Sequence, residues 1–298
     1  MNLHHLRVFK TVAEHEHITR ASEELILSQP AVTKIIQNLE REMGLELIER
    51  HGRRIVLTYA GHVLLGYARR MFALEREMEE ATDALRDVKV GEINLAANRT
   101  TGVYVLPSIV SQFHFLYPKV KLNISILNSY EIIEQTLDWT LDFGLVEGDP
   151  HTLPQEMQVK VFAKDELILV VSSEHPWSKL NEIHPNALQE GHLLLREQGS
   201  GIREVITHSL AQHGVQVQPL LLLPDNEAIK QMVISGVGAA IVSALTIRRE
   251  LLSGELVHIP IAGVDLHPEL SLIYRIDKRL SPAAKVFCSL LESSHADL

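Results

Sequence analysis

A single cysteine in 298 residues leaves no partner for an internal disulfide. Cys288 lies in an apolar helical pattern with Val286, Phe287, Leu290 and Leu291, and reads as a core thiol. Long hydrophobic runs are also missing. Stretches such as Leu220 to Leu223 and Leu167 to Val171 fall far short of the roughly 18 residues a spanning helix needs, which excludes a membrane partner of that kind. The first residues, Met1 to Arg7, lack a basic segment followed by an apolar run, so no secretory signal is read and the expected compartment is the cytoplasm. Catalytic motifs are absent too: there is no Gly-x-Ser-x-Gly elbow, no phosphate-binding Walker loop and no Gly-x-Gly-x-x-Gly after a strand. Gly236-Val237-Gly238 is accounted for as a helix C-cap. Sixteen histidines occur, with local pairs at His4-His5 and His15-x-His17. No Cys pair, His-Glu-x-x-His or close carboxylate cluster accompanies them, so no metal site is expected. No enzyme and no bound cofactor follow from this inventory.

What is present describes a folded chain of about two domains, with 46% apolar and 22% charged residues. The net charge of −10 argues by itself against a polyanion partner. Its distribution reverses that reading. Residues 1–58 hold eight Lys and Arg against eight Glu, so the entire acidic surplus belongs to the rest of the chain. Only the first module is suited to approach a phosphate backbone.

In that module Leu6, Phe9, Val12 and Ala13 recur at helical spacing, and a second short helix fits Thr19 to Leu25, with Thr19 as N-cap. Ser28 is a good N-cap for a third helix, and Pro30 in its first turn costs no hydrogen bond. Burial of Val32, Ile35, Ile36 and Leu39 leaves Gln29, Pro30, Thr33, Lys34 and Gln37 on the opposite face. Gln bonds adenine edges and Thr and Pro touch a thymine methyl, so these types suit a major groove. Residues 47–57 then read as two short strands around a Gly52 turn that carries Arg50, Arg53 and Arg54. A helix-turn-helix followed by a basic hairpin is a winged helix, with the third helix in the groove and the wing along the DNA backbone.

Leu64, Tyr67, Met71, Leu74, Met78, Ala81, Leu85 and Val88 step alternately by three and four, a heptad seam on a helix expected from about Thr58 to Asp87. So narrow a stripe needs a partner. A second copy of the same helix fits best, and the resulting homodimer would offer two recognition helices to a two-fold DNA site.

From Gly91 short apolar runs alternate with helical stretches, predicting an α/β architecture with mostly parallel strands. Ligands gather at the C-terminal ends of such strands. Gly199-Ser200-Gly201 opens a helix with free amides and a hydroxyl, and Arg203 lies in the first turn, a set that suits a small anion. An ordinary strand-to-helix turn capped by Ser200 is the plainer alternative. Asn98, Thr100 and Thr101 after the first strand, and Asn128 and Ser129 after the second, are N-cap types that would converge on the same cleft.

The motifs Leu6-Arg7-Val8-Phe9, Ala21-Ser22-Glu23-Glu24-Leu25, Ser28-Gln29-Pro30-Ala31-Val32-Thr33, Ile36-Gln37-Asn38-Leu39-Glu40, Arg53-Arg54-Ile55-Val56-Leu57-Thr58 and Ala60-Gly61 carry a resemblance. The chain resembles LysR-type transcriptional regulators of bacteria over essentially its whole length. The resemblance implies a winged helix-turn-helix DNA-binding domain at 1–58, a dimerising linker helix at 59–89 and a periplasmic-binding-protein-like effector domain at 90–298. That domain would divide into subdomain I, about 90–163 and 267–298, and subdomain II, about 164–266, joined by crossings near 162–167 and 262–268. The implied partners are double-stranded promoter DNA, a small-molecule effector in the cleft, further copies of the chain up to a homotetramer, and RNA polymerase. The segment from Leu195 to Arg203 is similar to that of regulators of sulfur-assimilation or carbon-fixation operons, except that Ile202 replaces their usual Thr and removes a hydroxyl. A competing reading is a small-molecule-binding protein or enzyme with a helical N-terminal appendage. The basic wing and the missing catalytic motifs weigh against it.

Overall fold

The computed structural model describes residues 2–51, 54–84, 91–189 and 193–294. The chain divides into two compact units. The first begins with α1 (Leu3–His15), α2 (Ile18–Glu24) and α3 (Gln29–Met43). Leu6, Phe9 and Val12 of α1, Ala21 of α2, and Val32, Ile36 and Leu39 of α3 close one apolar core. Ser28 caps α3 as the sequence predicts, its Oγ accepting from the Ala31 amide at 3.3 Å. The cap of α2 is His17 rather than Thr19: its Nδ1 accepts from the Thr19 amide at 3.2 Å, a task open to any acceptor at that position.

Strands β1 (Ile48–His51) and β2 (Arg54–Leu57) form an antiparallel hairpin in register Ile48 with Leu57 and His51 with Arg54. Glu40 Oε1 accepts from the Leu47 and Ile48 amides, which fastens the hairpin to α3. Helix α4 (Tyr59–Ala84) follows. Its Gly61 is needed there, because a Cβ at that position would lie 2.1 Å from the Leu47 carbonyl oxygen. The predicted continuation of this helix to Asp87 falls in 85–90, outside the described residues.

The second unit holds two five-stranded sheets. Its elements are β3 (Gly91–Ala97), α5 (Leu106–Leu116), β4 (Val120–Ile126), α6 (Ser129–Leu137), β5 (Phe143–Gly148), β6 (Met157–Lys164), β7 (Leu167–Ser172), β8 (Leu193–Arg196), α7 (Gly201–Gln212), β9 (Leu221–Leu223), α8 (Asn226–Ile234), β10 (Ala239–Ser243), α9 (Arg248–Ser253), β11 (Leu256–His258), β12 (Glu269–Arg275) and α10 (Pro282–Ser294). One sheet has the order β4-β3-β5-β12-β6 and the other β11-β7-β10-β8-β9. Each sheet has its own apolar core, around Phe113, Phe143 and Phe287 in the first and Leu169, Leu195 and Ile206 in the second. Cys288 is buried in the first core, and that burial pushes its thiol up to about 12.

Mostly parallel strands were expected, and here the structure differs. Each sheet has two parallel and two antiparallel pairings. The antiparallel ones all involve β12 or β7, the strands through which the chain arrives from the other sheet. The crossings run side by side: the Asp165 amide donates to Pro268 O and the Leu167 amide to Leu266 O, both at 2.9 Å. Strand β6, lying at such a crossing, is not among the predicted elements, although Met157, Val159 and Val161 alternate with Gln158 and Lys160. Strand β9 is only three residues long, behind Pro219, and a five-residue π turn, Thr101–Val105, leads into α5.

Candidate functional site

In the first unit, α3 presents Gln29, Pro30, Lys34 and Gln37 to solvent, with Thr33 half-buried beside them. The apolar period of the helix causes this arrangement, since Val32, Ile36 and Leu39 take the inward side. Arg50 is the penultimate residue of β1 and Arg54 the first of β2, on either side of the hairpin turn. Arg53 lies outside the described residues.

The heptad stripe of α4 divides. Tyr67, Leu74 and Met78 are exposed by 65%, 65% and 64%, an unusual state for three large apolar side chains on one helix. Leu64 requires a correction: it is buried, with Leu65 and Ala68, in the first unit's own core, and Met71 packs partly against the same core. The helix start serves the winged module before any seam can begin. Ala81 lies on α4, and Leu85 lies outside the described residues.

In the second unit a cleft opens between the two sheets, bounded by the ends of β3, β4, β8 and the start of α7. Asn98, Thr100, Asn128, Ser129, Ser200 and Gly201 line it, as the sequence places them, and Arg99, Arg196 and Ile202 join them. The enclosed space is about 10 Å³, room for about one water. Asn98 and Asn128 are N-caps as well as lining groups: Asn98 Oδ1 accepts from the Thr101 amide and Asn128 Oδ1 from the Glu131 amide, each at 2.9 Å. Ser200 makes no side-chain capping bond, so its hydroxyl is not consumed by the helix it precedes.

Three predicted residues are placed elsewhere. Thr101 is fully buried behind the lining, its Oγ1 without a partner. Gly199 is not among the lining residues and instead lets the chain turn at φ +86° against Tyr130. Arg203 is turned back, its guanidinium donating to the Arg196 carbonyl at 3.4 Å. The cleft's cations are Arg196 and Arg99. Arg196 is buried, with Nη1 donating to Asn226 Oδ1 at 2.7 Å and Nε and Nη2 gripping the Glu197 carboxylate. Arg99 lies 3.7 Å from Asp225. Arg196 could have been found as a lone cation ending the apolar strand Leu193–Arg196; Asn226 and Arg99 carry no comparable signal.

Behind the lining, Glu147 at the end of β5 accepts from Asn98 Nδ2 at 2.9 Å. Burial, reinforced by Asp165, holds its carboxyl well above the usual range, and burial raises Asp165 as well. Among the described residues no group of three or more His, Cys, Asp or Glu could hold a metal, and no helix is long and apolar enough to cross a membrane.

Residues 3–62 match the bacterial regulatory helix-turn-helix family of LysR proteins, and residues 86–296 match the LysR substrate binding domain. The chain belongs to the LysR-type transcriptional regulators. Similar relatives bear this out over the full length. The regulator CysL of Bacillus subtilis is 31% identical, with 97% of this chain and 96% of that protein covered. The RuBisCO operon transcriptional regulator of Allochromatium vinosum is 34% identical, covering 99% and 97%. Both belong to the subgroup suggested by the Leu195 to Arg203 segment. Among solved structures, full-length OxyR from Pseudomonas aeruginosa shares the fold at TM-score 0.76 and 21% identity, with 98% of each chain covered. The CcmR regulatory domain of Synechocystis, solved in complex with 2-PG, has TM-score 0.64 and 24% identity, covering 70% of this chain and 99% of that one. This LysR-type chain is thus a regulator with a DNA-binding and an effector-binding domain, and not an enzyme.

Proposed function

We propose that this regulator senses a small oxyanion metabolite, a carboxylate or phosphate ester, in the cleft between its two sheets. The observation that carries the reading is the convergence of buried Arg196, Arg99, the Thr100 and Ser200 hydroxyls and the α7 N-terminus on one closed space. An arriving anion would replace Glu197 at Arg196 and part the two sheets enough to enter. The ligand named for the CcmR structure and a relative named for the RuBisCO operon favour carbon fixation as the source of the signal, and the resemblance of the Leu195 to Arg203 segment adds sulfur assimilation.

DNA is read by Gln29, Pro30, Thr33, Lys34 and Gln37, with Arg50, Arg53 and Arg54 on the wing. The exposed Tyr67, Leu74 and Met78 of α4 support a homodimer through that helix, from which a tetramer is assembled. Contact with RNA polymerase at the promoter and a cytoplasmic setting complete the proposal.

The test is a thermal-shift series on the full chain with sulfate, thiosulfate, O-acetylserine and 2-phosphoglycolate, beside mobility shift of DNA from the gene's own upstream region. At about 100 times Kd a ligand adds roughly 2.7 kcal/mol. A stabilising anion whose effect is lost in Arg196→Met and Ser200→Ala upholds the cleft. Stabilisation that survives both substitutions removes it.

A further inference from the structure

A second cavity lies on the other side of α7 from this cleft, and at about 510 Å³ it is of ordinary ligand-site size. It is bounded by α6 and the end of β5 from the first sheet's subdomain, by α7 from the second, and by Asp265, Leu266 and His267 of the returning crossing. Ile133, Val146, Leu153, Val205 and Leu266 give it an apolar wall.

Two groups in it are unexplained by the fold. The hydroxyls of Ser129 and Ser271, in residues exposed by only 8% and 2%, are buried with no hydrogen-bond partner. Such orphans destabilise the fold unless something bonds them. Charge defines the rest: Glu147, Asp149, Glu204 and Asp265 line the cavity, with His208 and His267, and none of its described lining residues is Lys or Arg. An anion is disfavoured here, the reverse of the front cleft. Ser129 and Gly201 also line that cleft, so the two spaces share a wall.

We propose that this rear cavity is a second ligand site, which takes a small molecule with an apolar body and an uncharged or cationic hydrogen-bonding head, such as an alcohol, amide or primary amine. The head bonds Ser129 and Ser271, and the body packs between Ile133, Leu153 and Val205. Because its walls come from both subdomains, the occupant fixes their separation and acts on the front cleft through Ser129 and Gly201. Only this coupling rests on the proposed function; binding in the cavity does not.

The test uses the full-length protein and three probes with one body and different heads: 4-phenylbutan-1-ol, 4-phenylbutan-1-amine and 4-phenylbutanoate. At about ten times Kd the alcohol or the amine raises the melting temperature by about 3 °C, and the carboxylate does not. Ser271→Ala removes an unbonded hydroxyl, so it leaves the unliganded protein intact and weakens the bound probe about fivefold. Leu153→Trp, placed at the rim, fills the space and abolishes the shift while circular dichroism stays native. The site is overturned if no probe shifts the melt, if the carboxylate does so equally, or if the shift persists unchanged in both variants. In the same samples the effective probe changes affinity for upstream DNA in wild type and not in Leu153→Trp; intact probe binding with unchanged DNA affinity overturns the coupling alone.

Discussion

The carboxyl of Glu147, at the end of β5, is held well above the usual range by burial and by the neighbouring carboxyl of Asp165, in the crossing between β6 and β7. Glu147 Oε1 and Asp165 Oδ2 are both buried without a hydrogen-bond partner, so ionising both would leave two like charges together in the interior. The remaining oxygens are engaged, Glu147 Oε2 by Asn98 and Asp165 Oδ1 by the Glu166 amide at 2.8 Å. This pair of carboxyls links a strand end that backs the cleft to the crossing between the two sheets.

This arrangement sets a sign for pH. Below the ordinary Glu value of 4.5 the group is protonated both folded and unfolded. Above it the unfolded chain releases its proton while the folded chain retains it, so stability falls as pH rises through the window up to the elevated native value. Glu147→Gln supplies a permanently neutral side chain at this buried position. Denaturant melts at about pH 5 and about pH 8 should show the variant gaining roughly 1–3 kcal/mol over wild type at the higher pH. Parallel behaviour at both pH values would contradict the raised Glu147 carboxyl.

Gly201 begins α7 where a Cβ would meet the Glu147 carbonyl oxygen at 1.8 Å and Ser129 Oγ at 2.9 Å. Gly201→Ala must push the helix off β5. We expect a loss of about 2–4 kcal/mol and of the anion response, read by thermal melts with and without effector. Gly214→Ala has nothing within 4 Å of its Cβ and only a φ of +75° to strain, and should cost about 1 kcal/mol.

On DNA, Gln29→Ala should lower operator affinity by about 1–3 kcal/mol and leave random DNA almost unaffected. Arg53→Ala should weaken both alike and reduce the salt slope by about 1. Fluorescence anisotropy at several salt concentrations separates them, and equal losses for Gln29→Ala on both DNAs would count against groove reading.

For assembly, Leu74→Glu with Met78→Glu should leave the monomer folded and raise the dimer dissociation constant at least about tenfold, as seen by sedimentation. Leu64→Glu should unfold the winged module instead, because that side chain is buried in its core.

The three-part layout was legible because each part has its own period: three and four for the helices around Val32 and Ile36, a heptad along α4, and short apolar runs beyond Gly91. Cap chemistry located the cleft, since Asn98, Asn128 and Ser200 follow strands. Periodicity was silent on two matters. It does not tell which turns of α4 pack at home, so Leu64 reads as seam. Nor does it orient a long side chain: Arg203 is closest to the Gly-rich turn in sequence, yet Arg196, seven residues earlier, takes the cleft because Asn226 and Glu197 hold it there.

The two crossings also order the biosynthesis of the regulator. Every strand of the sheet β11-β7-β10-β8-β9 lies between residues 167 and 258, so that sheet can close while the chain is still being made. The other sheet needs β12 between β5 and β6 and must wait for it. On the ribosome the cleft therefore exists only after Arg275 has emerged, long after the winged module is free to fold and meet DNA.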